Sequence, residues 1–422
     1  MRVLMIIGES INANSSTNIF KRILIDEISK NNDTTVIMDN NSQEVSKVVG
    51  YVKNGTTFIE FSRLLPVERI FGRFLNKKNY SKNINKEINT KYKQNKSHIK
   101  LAKKLLNRLY KKHIEICYPK YRYYTKWVQR ATNYTSSMNF DVIMSVSHPP
   151  ASHKVAADII LKGNVKYKKW IQVWFEPWFQ VPFKKNKTKL IIEEERFLLK
   201  LADVVFYVNP IYFNKQKLIF PEYISKIQCI DLPVVINKKA ETIQYSLKPQ
   251  SVSVGYFGNY YSSIRNIEPF YKSIQKMDNV NFLIIGDSDL VLKPTNNLII
   301  KSRVNHDQIQ RYESQVDVLI ILSNLSDQIP GKVYNYSSSN KYVLFILDGN
   351  YQTKRDLKKY FGQYNRYVFC ENNEDDIKEK LRDIIDGNYS YVKNGPIQKF
   401  RASNIVNTLL NSTAEEKTYV QR

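Results

Sequence analysis

The chain has 422 residues, 42% of them hydrophobic, and a formal net charge of +26. That length can bury cores for two ordinary domains, so a small binding module is excluded. Three cysteines, Cys117, Cys229 and Cys370, are odd in number and far apart, which fits neither a disulfide framework nor a zinc knuckle and suits a reducing compartment.

No apolar run approaches the ~20 residues that span a bilayer, and Val3 to Ile7 is too short for a secretory signal. The expectation is a cytoplasmic protein. MRVLMIIG reads as a strand closed by Gly8, Asn18 to Ser29 has helical spacing, and Thr34 to Met38 reads as the next strand, which together open a Rossmann-like unit. No GxGxxG follows Gly8, which argues against a dinucleotide-dependent dehydrogenase.

Between Arg63 and Arg130 stand 20 Lys and Arg against 3 acidic residues, so this segment holds +17 of the net charge. Phe71, Phe74, Leu75, Leu101, Leu105, Leu106 and Leu109 interleave it, a pattern that lets helices lie apolar side down on an anionic surface. A solvated basic face on an insertion is the alternative. The segment contains no zinc finger or RNP-type sequence, so no specific nucleic-acid partner is expected, and anionic lipid heads are the better polyanion.

Phe140 to Ser147 reads as a buried strand running into His148, Pro149 and Pro150, with a helix from Ala151 to Leu161. Ligands of open α/β sheets bind where parallel strands end, which singles out His148, although capping the helix or packing under the prolines is the alternative. A further strand leads to Trp174-Phe175-Glu176-Pro177-Trp178, then a helix through EEERFLLKLAD and the strand VVFYV. Glu176 is either a site carboxylate or an ordinary turn residue.

Asn237 to Gln250 is polar, contains Pro249 and reads as the interdomain linker, giving domains over 1–240 and 250–396 and a C-terminal helix and tail over 397–422. The second domain restarts with a strand from Val252 to Phe257, Gly258, and a helix opening near Ser263 to Asn266. FLIIGDSD is another strand-to-loop junction, and its Asp287 and Asp289 read as turn chemistry in preference to a metal site. A helix follows Val304 to Gln308. Val318 to Leu322 is an apolar run without alternation, as in a strand buried on both faces. Pro330 then suits the first position of a helix, whose free N–H groups and positive dipole end make an anion site that Gly331 lets a ligand approach. Lys332, Asn335 and Tyr336 fall on one face of that helix.

Asp327-x7-Asn335 enclosing IPGKVYNY, preceded in the chain by FDVI, HPP and EPW, resembles family 4 glycosyltransferases of bacterial polysaccharide biosynthesis, in the branch that reads IPGK-x-YEY. The resemblance implies the GT-B fold, an α/β architecture of two Rossmann-like domains facing across a cleft, and transfer of a sugar from a nucleoside-diphosphate sugar to an acceptor hydroxyl. It implies donor contacts from Gly258, Asp327, Gln328, Ile329, Pro330, Gly331, Asn335 and Tyr336. Arg265 and Lys332 would meet the diphosphate, His148 would face the donor sugar, and Gly8 would border the acceptor. No cofactor or metal is implied, and retention of configuration is favoured, with Glu176 as the base of an inverting enzyme the alternative. With the basic segment, the resemblance points to a lipid-linked glycan acceptor and peripheral docking on the inner face of the plasma membrane.

Three departures separate the chain from that branch: Asn335 replaces an acid, Phe175 stands before Glu176 where an Arg-Asp pair is usual, and Asn340-Lys341-Tyr342 replaces Gly-x-Pro. A neutral amide weakens the ribose contact. Asn340, tolerant of left-handed backbone, is expected to keep the turn. A catalytically silent subunit supporting an active partner, or a polyanion-binding protein, are the other readings.

Overall fold

The structure is a computed structural model that describes residues 1–9, 11, 16–39, 56–61, 120–178, 188–234, 252–389 and 397–413. Most of the basic segment and all of the expected linker therefore lie outside the described residues. The first sheet contains β1 (Arg2–Ile7), β2 (Asp33–Asp39), β3 (Thr56–Phe61), β4 (Asn139–Val146), β5 (Lys166–Trp174), β6 (Val204–Val208) and β7 (Ile227–Ile230). Its order is β3-β2-β1-β4-β5-β6-β7, parallel from β3 to β5.

The second sheet contains β8 (Val252–Phe257), β9 (Val280–Ile285), β10 (Leu298–Lys301), β11 (Val318–Leu322), β12 (Tyr342–Leu347) and β13 (Val368–Glu371). Its order is β10-β9-β8-β11-β12-β13, parallel throughout. Packing groups residues 1–13, 28–205 and 413–422 in one compact unit and residues 14–27 and 206–412 in another.

The strands form where apolar residues run without alternation. Val3 to Ile7 and Val318 to Leu322 are all buried, and each such side chain contributes roughly 1.5–3 kcal/mol by leaving water. In the second unit Val254, Ile284, Ile320 and Leu344 share a core with Ile377 and Leu381 of the Glu374–Ile385 helix. That helix starts cleanly: the Asn373 side chain accepts from the Asp376 N–H, and Glu374, Asp375 and Asp376 complement its positive end.

Three expectations require correction. The helix after β8 begins at Glu268, not at Ser263, because Ser262 to Ile264 form a turn and Pro269 enters in the first helical turn. The helix after β11 is Lys332–Ser337 with Gly331 as its N-cap, so Pro330 precedes the cap instead of taking the first helical position. Asn340 is not left-handed; among the described residues the non-glycine ones with positive φ are Asn209, Asn279 and Asn365. The turn after Ser337 is held by Arg366, a fully buried side chain whose guanidinium donates to the carbonyls of Tyr336, Ser337, Ser339 and Lys341 at 2.6 to 3.2 Å. A cation at a helix C-terminus satisfies carbonyls that have no partner within the helix.

Candidate functional site

Parallel sheets gather loops at the carboxyl ends of their strands, and a crevice opens where neighbouring strands lead their chains in opposite directions. In the first sheet that point is β1 against β4. Ile7 pairs with Val146, and Val146 with Val173, so Gly8, His148 and Glu176 follow three adjacent strand ends. His148 Nε2 lies 3.1 Å from Glu176 Oε2, with both side chains about a quarter exposed. Gly8 has a packing reason to be glycine, since a Cβ there would stand 2.4 Å from Pro149 Cγ, and its N–H donates to Ser152 Oγ at 2.8 Å. The Glu176 turn is anchored on its far side, where the Trp178 N–H donates to the fully buried Glu195 at 3.2 Å and the Trp178 ring meets Tyr121 at 5.1 Å.

Beneath His148, and missed by the sequence reading, is His153. It is fully buried, stacked on Trp174 at 4.0 Å. Trp170 Nε1–H donates to Ser145 Oγ at 2.9 Å, so the Ser145 hydroxyl proton is left for His153 Nδ1 at 2.8 Å. Burial, with the neighbouring His148 second, holds the His153 imidazole well below its ordinary pKa and keeps it neutral.

In the second unit the corresponding point is β8 against β11. Gly258 follows β8, and its N–H donates to Ile285 O at 2.9 Å. Gly286, after β9, permits this approach: a Cβ at Gly286 would fall 1.9 Å from Gly258 O. The FLIIGDSD pattern marks Gly286 only as part of a turn, because nothing local signals a contact made 28 positions away. Arg265 Nη1 donates to Asn259 O at 2.7 Å and lies 3.9 Å from a Cβ built on Gly258, so this pair does meet.

Lys332 and Tyr336, one helical turn apart, converge on one oxygen of Glu313, at 2.6 Å from the ammonium and 2.9 Å from the phenol. Burial first, and Glu313 second, push the Tyr336 phenol well above its ordinary pKa, so it stays protonated and donates. Asn335 does not join them; its half-buried side chain makes no hydrogen bond among the described residues. Asp327 is engaged within the same unit, with Oδ2 paired to Lys215 and Oδ1 accepting from Thr353 at 2.7 Å. Burial would raise its carboxyl, but these hydrogen bonds and the Lys215 charge outweigh it and bring the pKa below the ordinary value.

Gln328 is exposed and accepts from Asn324 at 2.8 Å, Ile329 is half-buried, and Pro330 is buried. A Cβ on Gly331 would meet the Phe20 ring at 3.0 Å, so glycine there answers to packing. Asp289 accepts from the Ser262 N–H and hydroxyl at 2.8 and 2.5 Å, and Asp287 from the Arg303 N–H at 3.1 Å, as turn carboxylates do. A hollow lined by Met1, Arg2, Asp33, Asn139, Asp141 and Lys168 lies at the amino ends of β1, β2 and β4, the edge away from His148 and Glu176. Its charges pair as Arg2 with Asp33 and Lys168 with Asp141, all on the surface, so it is not a rival site.

No family model matches the chain, and no curated protein matches it in sequence. Solved structures do match in shape. A sucrose-phosphate synthase from Thermosynechococcus elongatus is similar at a TM-score of 0.55 and 12% identity, over 97% of this chain and 94% of that one. HepE of Anabaena, solved with UDP-glucose, is similar at 0.53 and 10%, over 97% and 95%. A UDP-N-acetylglucosamine 2-epimerase is similar at 0.50 and 12%, over 97% and 96%. Identities this low carry the fold and nothing finer: the chain has the GT-B fold, with two Rossmann-like units each built on a parallel sheet.

Proposed function

We propose that this protein is a glycosyltransferase, moving a sugar from a nucleoside-diphosphate sugar held by residues 250–396 to a hydroxyl of an acceptor held by residues 1–240. The observation that supports the reading is that Arg265, Gly258 and the Lys332–Tyr336–Glu313 cluster lie in the unit whose β8 and β11 meet at a topological switch point, the kind of place where open parallel sheets bind ligands. There the Lys332 and Arg265 cations would stabilise the departing diphosphate where its charge develops, with no metal called for. His148, oriented by Glu176, would face the transferred sugar, and Gly8 would border the acceptor. The family 4 resemblance favours retention of configuration, which an anomeric assay of the product would test.

The acceptor in this reading is a lipid-linked glycan, approached from the cytoplasmic face of an anionic membrane through the basic segment 63–130. Among the described residues no helix is long and apolar enough to cross a membrane.

A melting-temperature screen against UDP, GDP, CMP and their sugars tests the proposal, because a ligand that binds only the native state must raise the melting temperature. No shift from any of them would refute it. The epimerase among the structural neighbours makes a control necessary: an epimerase alters the nucleotide sugar without any acceptor, whereas a transferase consumes it only with acceptor or by slow hydrolysis. A second reading, a silent subunit that supports an active partner, is favoured by Asn335 and by the internal partners of Asp327. Hydrolysis or transfer by the isolated protein would exclude it.

A further inference from the structure

The Lys332 ammonium, cast above as a diphosphate ligand, is already bonded to a carboxylate. Glu313 comes from the His306–Gln315 helix, 19 residues earlier in the chain, and its Oε1 accepts hydrogen bonds from both the Lys332 ammonium and the Tyr336 phenol. This carboxylate is not the ammonium's sole neighbour. The faces of Tyr336 and Phe257 lie 4.9 and 5.9 Å from Lys332 Nζ, within the range at which an aromatic ring attracts a cation. Nor is the pair sealed: the two side chains keep 29% and 21% of their exposure, and an ammonium with one bond made has two protons left for an incoming oxygen. Lys332 can therefore bridge Glu313 and a phosphate, and the phosphate then sits within several ångströms of a fixed negative charge.

We infer that Glu313 is a specificity-determining residue of this site, discriminating against the departing nucleoside diphosphate relative to the nucleotide sugar and so promoting product release. The inference rests on the donor reading above. Its chemistry is a difference of charge: loss of the sugar leaves a terminal phosphate whose second ionisation, near pH ~6, gives the product one more negative charge than the donor. A carboxylate behind Lys332 repels both ligands, and the product more. Two charges about 6 Å apart at an effective dielectric of about 20 change affinity by about a hundredfold, which partial exposure reduces to about tenfold. Release of product limits turnover in many enzymes that close on charged ligands.

The test is Glu313→Gln, which keeps an amide oxygen for both donors and removes only the charge. Calorimetric titration with UDP, UDP-glucose, GDP and GDP-mannose should show affinity rising for both kinds of ligand, with the diphosphate gaining about tenfold more than the matching nucleotide sugar. Glu313→Ser, which removes charge and bulk together, should shift the ratio in the same sense and serves if the first variant does not fold. Equal gains for both ligands, or a loss for both, would overturn the inference, the latter by making Glu313 a positioning residue for Lys332, while leaving the donor reading standing. Failure of the unaltered protein to bind any of the four would overturn both.

Discussion

His148 and Glu176, 28 residues apart in the chain, meet at 3.1 Å where β4 and β5 end side by side. With Glu176 Oε2 in hydrogen-bond reach of Nε2, the carboxylate fixes which ring nitrogen faces it and so orients the His148 imidazole. With His148 facing the transferred sugar as proposed, Glu176→Gln, which loosens that orientation, should lower transfer about tenfold, and His148→Ala, which removes the group, about a hundredfold. Nucleotide affinity, measured separately, should stay within about twofold in both variants. Transfer at the unaltered rate by Glu176→Gln would remove the pair from the reaction.

Gly286→Ala tests the support of the Gly258 loop. Its Cβ would fall 1.9 Å from Gly258 O, a backbone atom that can yield only if the loop moves. Nucleotide affinity should drop by about tenfold or more and the melting temperature by several degrees. Gly163, at a left-handed φ of 67° with nothing within 4 Å of a built Cβ, is the control: alanine there costs stability only, through strain, and leaves binding intact.

Acid stability should carry a histidine signature. The folded pKa of His153 is depressed by burial, so its contribution to stability is full above the unfolded value of about 6.5 and is lost as pH falls from there toward the folded value. Within that window one extra proton is bound on unfolding, a slope of about 1.4 kcal/mol per pH unit. His153→Gln, which retains an acceptor for Ser145, should flatten the fall in melting temperature between about pH 6.5 and 5. An unchanged profile would mean that His153 is not the group that titrates.

How far the sequence was legible depended on whether a signal was local. Val252–Phe257, Val318–Leu322 and Ala151–Leu161 are found where their apolar runs or helical spacing place them, since burial on both faces or on one stripe imposes those patterns. The Tyr351–Gly362 helix was not foreseen, because its buried stripe is only Thr353, Leu357 and Phe361 within a charged stretch. Thr56–Phe61, a short strand at the sheet edge, was missed for a similar reason. At the site, Lys332 and Tyr336 share a target because one turn of helix separates them. Their target, Glu313, lies in a polar helix with no local mark, and Arg366 acts on carbonyls about 25 to 30 residues away.

Membrane docking is testable on charge alone. The +17 carried by residues 63–130 should bind vesicles containing anionic lipid, leave neutral ones largely unbound, and release as salt shortens the Debye length to ~3 Å at 1 M. Neutralising Lys77, Lys78, Lys103, Lys104, Lys111 and Lys112 should abolish flotation with anionic vesicles and spare nucleotide binding. Flotation that survives these changes, or nucleotide binding lost with it, would contradict an independent docking surface.

The central claim is that Lys332 belongs to a nucleoside-diphosphate site. The most direct measurement is the dissociation constant of Lys332→Ala for the nucleoside diphosphate that most raises the melting temperature of the unaltered protein. A charge-assisted bond contributes ~1.5–3 kcal/mol, so affinity should fall by about tenfold to a hundredfold while the melting temperature without ligand changes little. An unchanged dissociation constant would show that the Lys332–Glu313 pair is structural and that the diphosphate site lies elsewhere.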